Sequence, residues 1–224
     1  MHSLVLFHNS LICCFRLSQD FFIHELGAKY LGLNGLFLNI LSILSFADLG
    51  IGSAITYSLY KPLHDGNREN ILSLMKLFRF VYRIIAIVIF LMGMLLLPFL
   101  TYFIADKNLS STVGNVYWAF FLALMNVVVS YLLSYKRSLI IAAQLGYIDS
   151  LNILSFNIVT QIFQILFLII FHSFYLYLFV QLLLTFLSNV HITMIANKRF
   201  PYLKDLSNAK RVSKDVVDYL KKTL

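Results

Sequence analysis

The residues best suited to chemistry are cations and amides set at helical spacing inside apolar sequence. Lys76, Arg79 and Arg83 fall at i, i+3 and i+7, so one helix face would carry three positive charges. Lys136 and Arg137 form a second cationic point. Such groups can grip a phosphate, a guanidinium doing so with two parallel hydrogen bonds. The competing reading is ordinary anchoring at a membrane edge, with long side chains reaching back to water. That reading is stronger for Lys76 and Arg79 than for Arg83, which lies deeper in apolar sequence.

Neutral polar groups form three stripes. Asn126, Ser130 and Ser134 recur every four residues, and Arg137 follows on the same face. Asn157, Gln161 and Gln164 form the second stripe; Gln181, Thr185, Asn189 and Thr193 form the third. One or two such residues per helix suffice for interhelical hydrogen bonding. Stripes along three helices point further, to a polar cavity whose amides and hydroxyls match sugar hydroxyls better than a bare ion. Asp48 is the one acid in the middle of an apolar block, among Gly50, Gly52 and Ser53. It is a candidate for coupling or for a structural pairing with a cation, and Arg16 is placed with it. The rest excludes chemistry by omission. There is no Ser–His–Asp set, phosphate loop or metal-ligand spacing. The adjacent Cys13 and Cys14 are too few for a zinc site, and His172 and His191 are isolated. We expect no enzyme, no cofactor, no metal and no nucleic-acid partner.

The elements that must position these groups are membrane helices. The 224 residues are 60% hydrophobic and 12% charged, about half the charge of a soluble domain. Mean hydropathy is +0.82. Apolar blocks of span length cover residues 3–24, 33–58, 80–104, 116–140, 151–172 and 174–196. The expected fold class is therefore all-α, a polytopic six-helix transmembrane bundle. Arg16, Gln19 and Asp20 interrupt the first block. A signal peptide is the rival reading for Met1–Cys14, but that stretch has no basic n-region and no small-x-small cleavage site. Pro98 is expected to bend the third span.

Charge supplies the orientation. Fourteen Lys and Arg fall in the 60–79 and 134–150 connections and the tail, against Lys29 and Lys107 in the alternate loops. The positive-inside rule then places the rich side, and with six spans both termini, in the cytoplasm. Residues 1–197 read as the membrane lobe and 198–224 as a basic tail. In the tail Val212, Val216, Val217, Leu220 and Leu224 share a helical face, suiting an interfacial helix on anionic lipid; a frayed, solvated tail is the alternative.

Two stretches carry a family pattern. Leu26-Gly27-Ala28-Lys29-Tyr30-Leu31-Gly32-Leu33-Asn34-Gly35-Leu36-Phe37, continuing through Ala47-Asp48-Leu49-Gly50-Ile51-Gly52-Ser53-Ala54-Ile55 to Leu59-Tyr60-Lys61-Pro62-Leu63, resembles the amino-terminal region of Wzx-type polysaccharide flippases. These belong to the multidrug/oligosaccharidyl-lipid/polysaccharide exporter superfamily. Tyr135-Lys136-Arg137-Ser138-Leu139-Ile140-Ile141-Ala142, with Gln144 and Tyr147-Ile148, is similar to that family's fourth-helix signature. The chain departs from the pattern at Gln19, where an Arg is usual (Arg16 lies one turn earlier), and at Ala143, where an acid is usual.

The resemblance implies one lobe of a two-lobe transporter in a bacterial plasma membrane, with residues after 197 leading towards a second lobe. It implies a polyprenyl-pyrophosphate-linked oligosaccharide as cargo. Arg79, Arg83, Arg137 and Lys136 would then attract the pyrophosphate, and the stripes would line the glycan path. The bilayer, a second six-helix lobe and polysaccharide polymerisation machinery are the implied partners. Two alternatives stand beside it: an ion-coupled drug antiporter of the same superfamily, and a non-transporting single-lobe remnant or interaction protein.

Overall fold

The computed structural model describes residues 27–45, 51–103 and 115–203, and every regular element among them is helical. In chain order these are α1 (Ala28–Ser45), α2 (Ile51–His64), α3 (Arg68–Leu96), α4 (Val116–Ala142), α5 (Gly146–Phe171) and α6 (Phe174–Arg199). Four are long and apolar enough to cross a membrane: Arg68–Phe99, Val116–Ala142, Gly146–Phe171 and Phe174–Arg199. The chain is thus an all-helical, membrane-embedded protein. The block at 3–24, the tail beyond 203, Cys13, Cys14, Arg16 and Asp48 lie outside the described residues.

Local chemistry explains the helix limits. Asn67 caps α3, its side chain accepting from the Asn70 amide at 3.1 Å, and Gly66 supplies the positive φ of the preceding turn. Asn115 caps α4 through the Tyr117 amide. The expected third span at 80–104 is longer inward than its apolar block. Its helix begins at Arg68, because the Asn67 cap starts it there and Lys76, Arg79 and Arg83 ride on the same continuous helix. At its far end Pro98, which has no amide hydrogen to give, sits in the 3₁₀ turn Leu97–Phe99, followed by one more turn at Leu100–Phe103. The expected span 33–58 is represented by α1 and α2, with residues 46–50 outside the described set. Helix α6 runs two residues past 197, and a turn at 201–203 folds back to bury Leu203.

The connections make α4, α5 and α6 an antiparallel series. Between α4 and α5 the chain reverses through Gln144, whose φ of 61° is a left-handed position usually given to glycine. The Leu145 amide donates back to Ile140 and the Gln144 amide to Ile141, satisfying the last carbonyls of α4. His172 takes the same conformation between α5 and α6.

Helix α4 is the centre, packed by α6, α3, α2 and α1, while α5 rests mainly on α6. The buried face of α3 carries Ile71, Leu74, Phe78, Tyr82, Ile85, Ile89 and Gly93 at helical period. Phe37 of α1 and Phe120 of α4, both fully buried, meet edge to face at 5.4 Å. A Cβ at Gly93 would collide with Leu124, so α3 approaches α4 closely there. Helix α5 is inverted relative to a water-soluble helix. Asp149, Asn152, Thr160 and Gln164 are buried, whereas Leu151, Ile162, Phe163, Leu166 and Ile170 face outward. Only an apolar solvent makes that arrangement favourable.

The bundle has two chemically distinct ends. Tyr30 of α1 meets Phe174 of α6 at one. At the other, Lys136 reaches Asn197, and Arg68 lies 5.8 Å over the Tyr202 ring. Burial pushes the Tyr202 phenol up from its ordinary range, with the Arg68 charge pulling the other way. Most of the described cations, from Lys61 to Arg199, gather at this second end, while Lys29 lies at the first.

Candidate functional site, a paired polar layer and a cavity

Two polar regions lie at different depths. Nearer the cation-rich end, α4, α5 and α6 are joined by a buried network. Arg137 Nε lies 2.9 Å from Asp149 Oδ1, an ion pair whose angle falls outside hydrogen-bond geometry. Arg137 Nη2 also donates to Asn189 Oδ1 at 3.3 Å. One turn further along α5, Asn152 donates to the Ser188 carbonyl and hydroxyl at 3.2 and 3.0 Å. Its Oδ1 lies 2.7 Å from His191 Nδ1. Lys136 Nζ donates to Asn197 Oδ1 at 2.7 Å, and the Tyr82 and Ser138 hydroxyls meet at 3.4 Å. In an apolar medium each unpaired group would carry a large desolvation cost, so a connected set fixes the relative rotation of the three helices.

Towards the opposite end lies a cavity of about 640 Å³ with walls from α1, α4, α5 and α6. Asn126, Asn157, Gln161, Gln164 and Gln181 line it, joined by Asn34, Thr160 and Tyr177. Gln164 donates to Gln181 Oε1 at 2.9 Å and to the Tyr177 carbonyl at 3.3 Å, tying α5 to α6 at the cavity wall. Gln181 and Asn189 are eight residues apart on α6, about 12 Å along the axis, which separates the cavity from the ion-pair layer.

The stripe residues therefore divide. Ser130, Ser134, Thr185 and Asn189 are not among the cavity-lining residues. The Ser134 hydroxyl donates back to the Ser130 carbonyl, and the Thr185 carbonyl accepts from Asn189 at 3.0 Å. Of the cations, Arg137 is held by Asp149 and Lys136 by Asn197. Arg79 and Arg83 make no ion pair among the described residues; they lie close enough to Tyr135 for their charges to be felt there, and Arg79 also to Lys136. A group of like charges at a membrane edge is a field that favours an anion.

Sequence reasoning passed over Asp149, Asn152 and Asn34. Asp149 gave one usable signal, as the only acid in a helix whose face towards its neighbours is otherwise neutral. Asn34 is a single polar residue in apolar surroundings and only its neighbours reveal its use. Among the described residues no group of three or more His, Cys, Asp or Glu could hold a metal.

These features define a class: a helical membrane protein with an internal polar cavity and a cationic end. Comparison goes no further, since no protein-family model, no curated protein and no solved structure matches the chain.

Proposed function

We propose that this chain is one lobe of a transporter that moves a polyprenyl-pyrophosphate-linked oligosaccharide across a bacterial plasma membrane. The observation that carries the reading is the separation of two polar regions along the bundle. Arg79 and Arg83, without an ion pair among the described residues, flank Tyr82 at the level of the paired layer, and a neutral amide-lined cavity lies farther from the cation-rich end. A lipid-linked glycan has the matching parts, an anionic pyrophosphate at the membrane edge and hydroxyl-rich sugars beyond it. Arg79 and Arg83 meet the pyrophosphate; Lys136 adds charge while bonded to Asn197. Arg137 serves a different purpose, since Asp149 already neutralises it.

In this reading the lobe holds six spans, with the region 3–24 as the first and 33–58 as the second. The cation-rich end and both termini face the cytoplasm by the positive-inside rule. A second six-helix lobe faces the cavity, and rocking of one lobe on the other alternates access.

The test is binding followed by transport. Purified protein in phosphatidylcholine nanodiscs is titrated with undecaprenyl pyrophosphate, and Arg79→Ala with Arg83→Ala is compared with the parent chain. A tenfold or greater loss of affinity is expected, shrinking as salt rises. Unchanged affinity in the double variant would remove the pyrophosphate assignment. Flipping of a fluorescent lipid-linked oligosaccharide, assayed in proteoliposomes that also contain a second lobe, then tests transport itself.

A further inference from the structure

The two polar regions differ in how their groups are satisfied. In the layer near the cation-rich end, Asp149, Asn152, Asn189 and Asn197 have partners on a neighbouring helix, and Thr193 Oγ1 is the one hydroxyl among the described residues there that is shielded without one. In the cavity, Asn34, Asn126, Asn157 and Gln161 make no hydrogen bond among the described residues, and the shielded Asn126 Oδ1 accepts nothing. Of these four amides on three helices, Asn126 is the one with a shielded, unpartnered oxygen and so carries a desolvation cost, while Asn34 and Gln161 are half-buried and Asn157 is exposed, open to a ligand. Their convergence on one cavity makes sense if an occupant supplies both donors and acceptors.

The lining also says what the occupant lacks. Among the described residues, no Asp, Glu, Lys, Arg or His lines the cavity. A cation would find no carboxylate, and an anion no positive charge, in a region where an uncompensated charge is costly. An apolar drug would leave the amides unpaired. Hydroxyls satisfy amides in both directions, because each hydroxyl donates once and accepts twice. The volume of about 640 Å³ lies in the roughly 300–1,000 Å³ range of pockets that enclose ligands of drug size, which is room for a short oligosaccharide. Leu31 and Leu38 provide apolar wall against which sugar ring faces can lie.

We infer that the cavity selects an uncharged, hydroxyl-rich glycan segment and rejects acidic sugars, with Asn34, Asn126, Asn157 and Gln161 as its binding amides. The inference rests on the transport reading for its cargo but concerns a separate property, selectivity by charge. Neutral glycans enter because their hydroxyls replace water at the amides one for one. A uronate carboxylate would lose its hydration with no cation to receive it.

The experiment uses the full chain in phosphatidylcholine nanodiscs, with saturation-transfer NMR and competition titrations on neutral trisaccharides (maltotriose, raffinose and chitotriose) and on trigalacturonate. At least one neutral trisaccharide is expected to bind, and trigalacturonate at least tenfold more weakly at 0.15 M salt. Asn126→Leu, which keeps the branched shape, and Gln161→Leu are each expected to weaken the neutral ligand about tenfold, the loss of roughly one hydrogen bond. A thermal-unfolding trace unchanged from the parent separates lost contact from lost fold; Asn157→Ser is the milder variant if either leucine variant unfolds. Equal or tighter binding of trigalacturonate, absence of binding by all neutral probes, or unchanged affinity in folded variants each overturns the inference. Undecaprenyl pyrophosphate binding is measured on the same samples. Retained lipid binding with failed sugar selectivity sinks this inference alone, whereas selective sugar binding without lipid binding sinks the transport reading.

Discussion

Replacing Asp149 by Asn is the sharpest test of the three-helix layer. The carboxylate lies 2.9 Å from Arg137 Nε, and the two side chains are 9% and 23% exposed. At an effective dielectric near 20, charges at that distance attract by roughly 6 kcal/mol, most of it offset by the desolvation both groups have already undergone. Removing one partner of a buried pair costs roughly 3–5 kcal/mol, because the other charge is left uncompensated. Arg137 keeps Asn189 and some exposure, which places Asp149→Asn at the lower end, about 3 kcal/mol. The folded-to-unfolded ratio then falls about 150-fold. The double variant Arg137→Gln with Asp149→Asn removes both charges of the pair and is expected within about 1 kcal/mol of the parent. Unfolding in mixed SDS micelles, followed through the single Trp118, measures both. A loss below about 0.5 kcal/mol in the single variant, or a double variant as unstable as the sum of its parts, would refute the claim that this pair anchors the layer.

Other perturbations have definite directions. Gly93→Val places a branched side chain against the fully buried Leu124, whose side chain must then shift, and should cost about 2 kcal/mol in the same unfolding assay. Phe120→Ala removes the ring that meets Phe37 at the centre of the bundle, with an expected loss of about 3 kcal/mol. Gln144→Gly relieves a left-handed side-chain residue at the α4–α5 turn and should raise stability by about 0.5–1 kcal/mol; a decrease would show that the Gln side chain matters more than its backbone conformation. For orientation, cysteines placed at Lys29 and at Arg199 should label from opposite faces of the membrane, with Arg199 reached only from the cytoplasm. Labelling of both from one face would overturn the topology.

Much of the architecture could be read along the chain because it is local. An apolar block of span length has one low-energy conformation in hydrocarbon, a helix whose backbone groups satisfy each other. The regions around 116–140, 151–172 and 174–196 accordingly coincide closely with α4, α5 and α6. The polar stripes are local as well, since a spacing of three or four residues places side chains on one face whatever lies opposite. Where apolar content and helix part company, as at Arg68–Arg79, the Asn67 cap rather than hydropathy decides the start.

What periodicity leaves open is the rotation and depth of one helix against the next. Those depend on which side chains interlock, such as Phe37 with Phe120 or Gly93 with Leu124. Packing therefore decided that Asn126, Asn157, Gln161, Gln164 and Gln181 line one cavity, that Ser134 and Asn189 do not, and that the solitary Asn34 does. It also turned Arg137, a cation like Arg83 in the linear sequence, into half of an ion pair, because the turn at Gln144 folds Asp149 back beside it. The residue types and their faces were determined by the sequence itself. Which polar groups are paired and which remain open for a ligand was decided only by the tertiary structure, since pairing needs a partner at hydrogen-bond distance and that distance is set by the packing of whole helices.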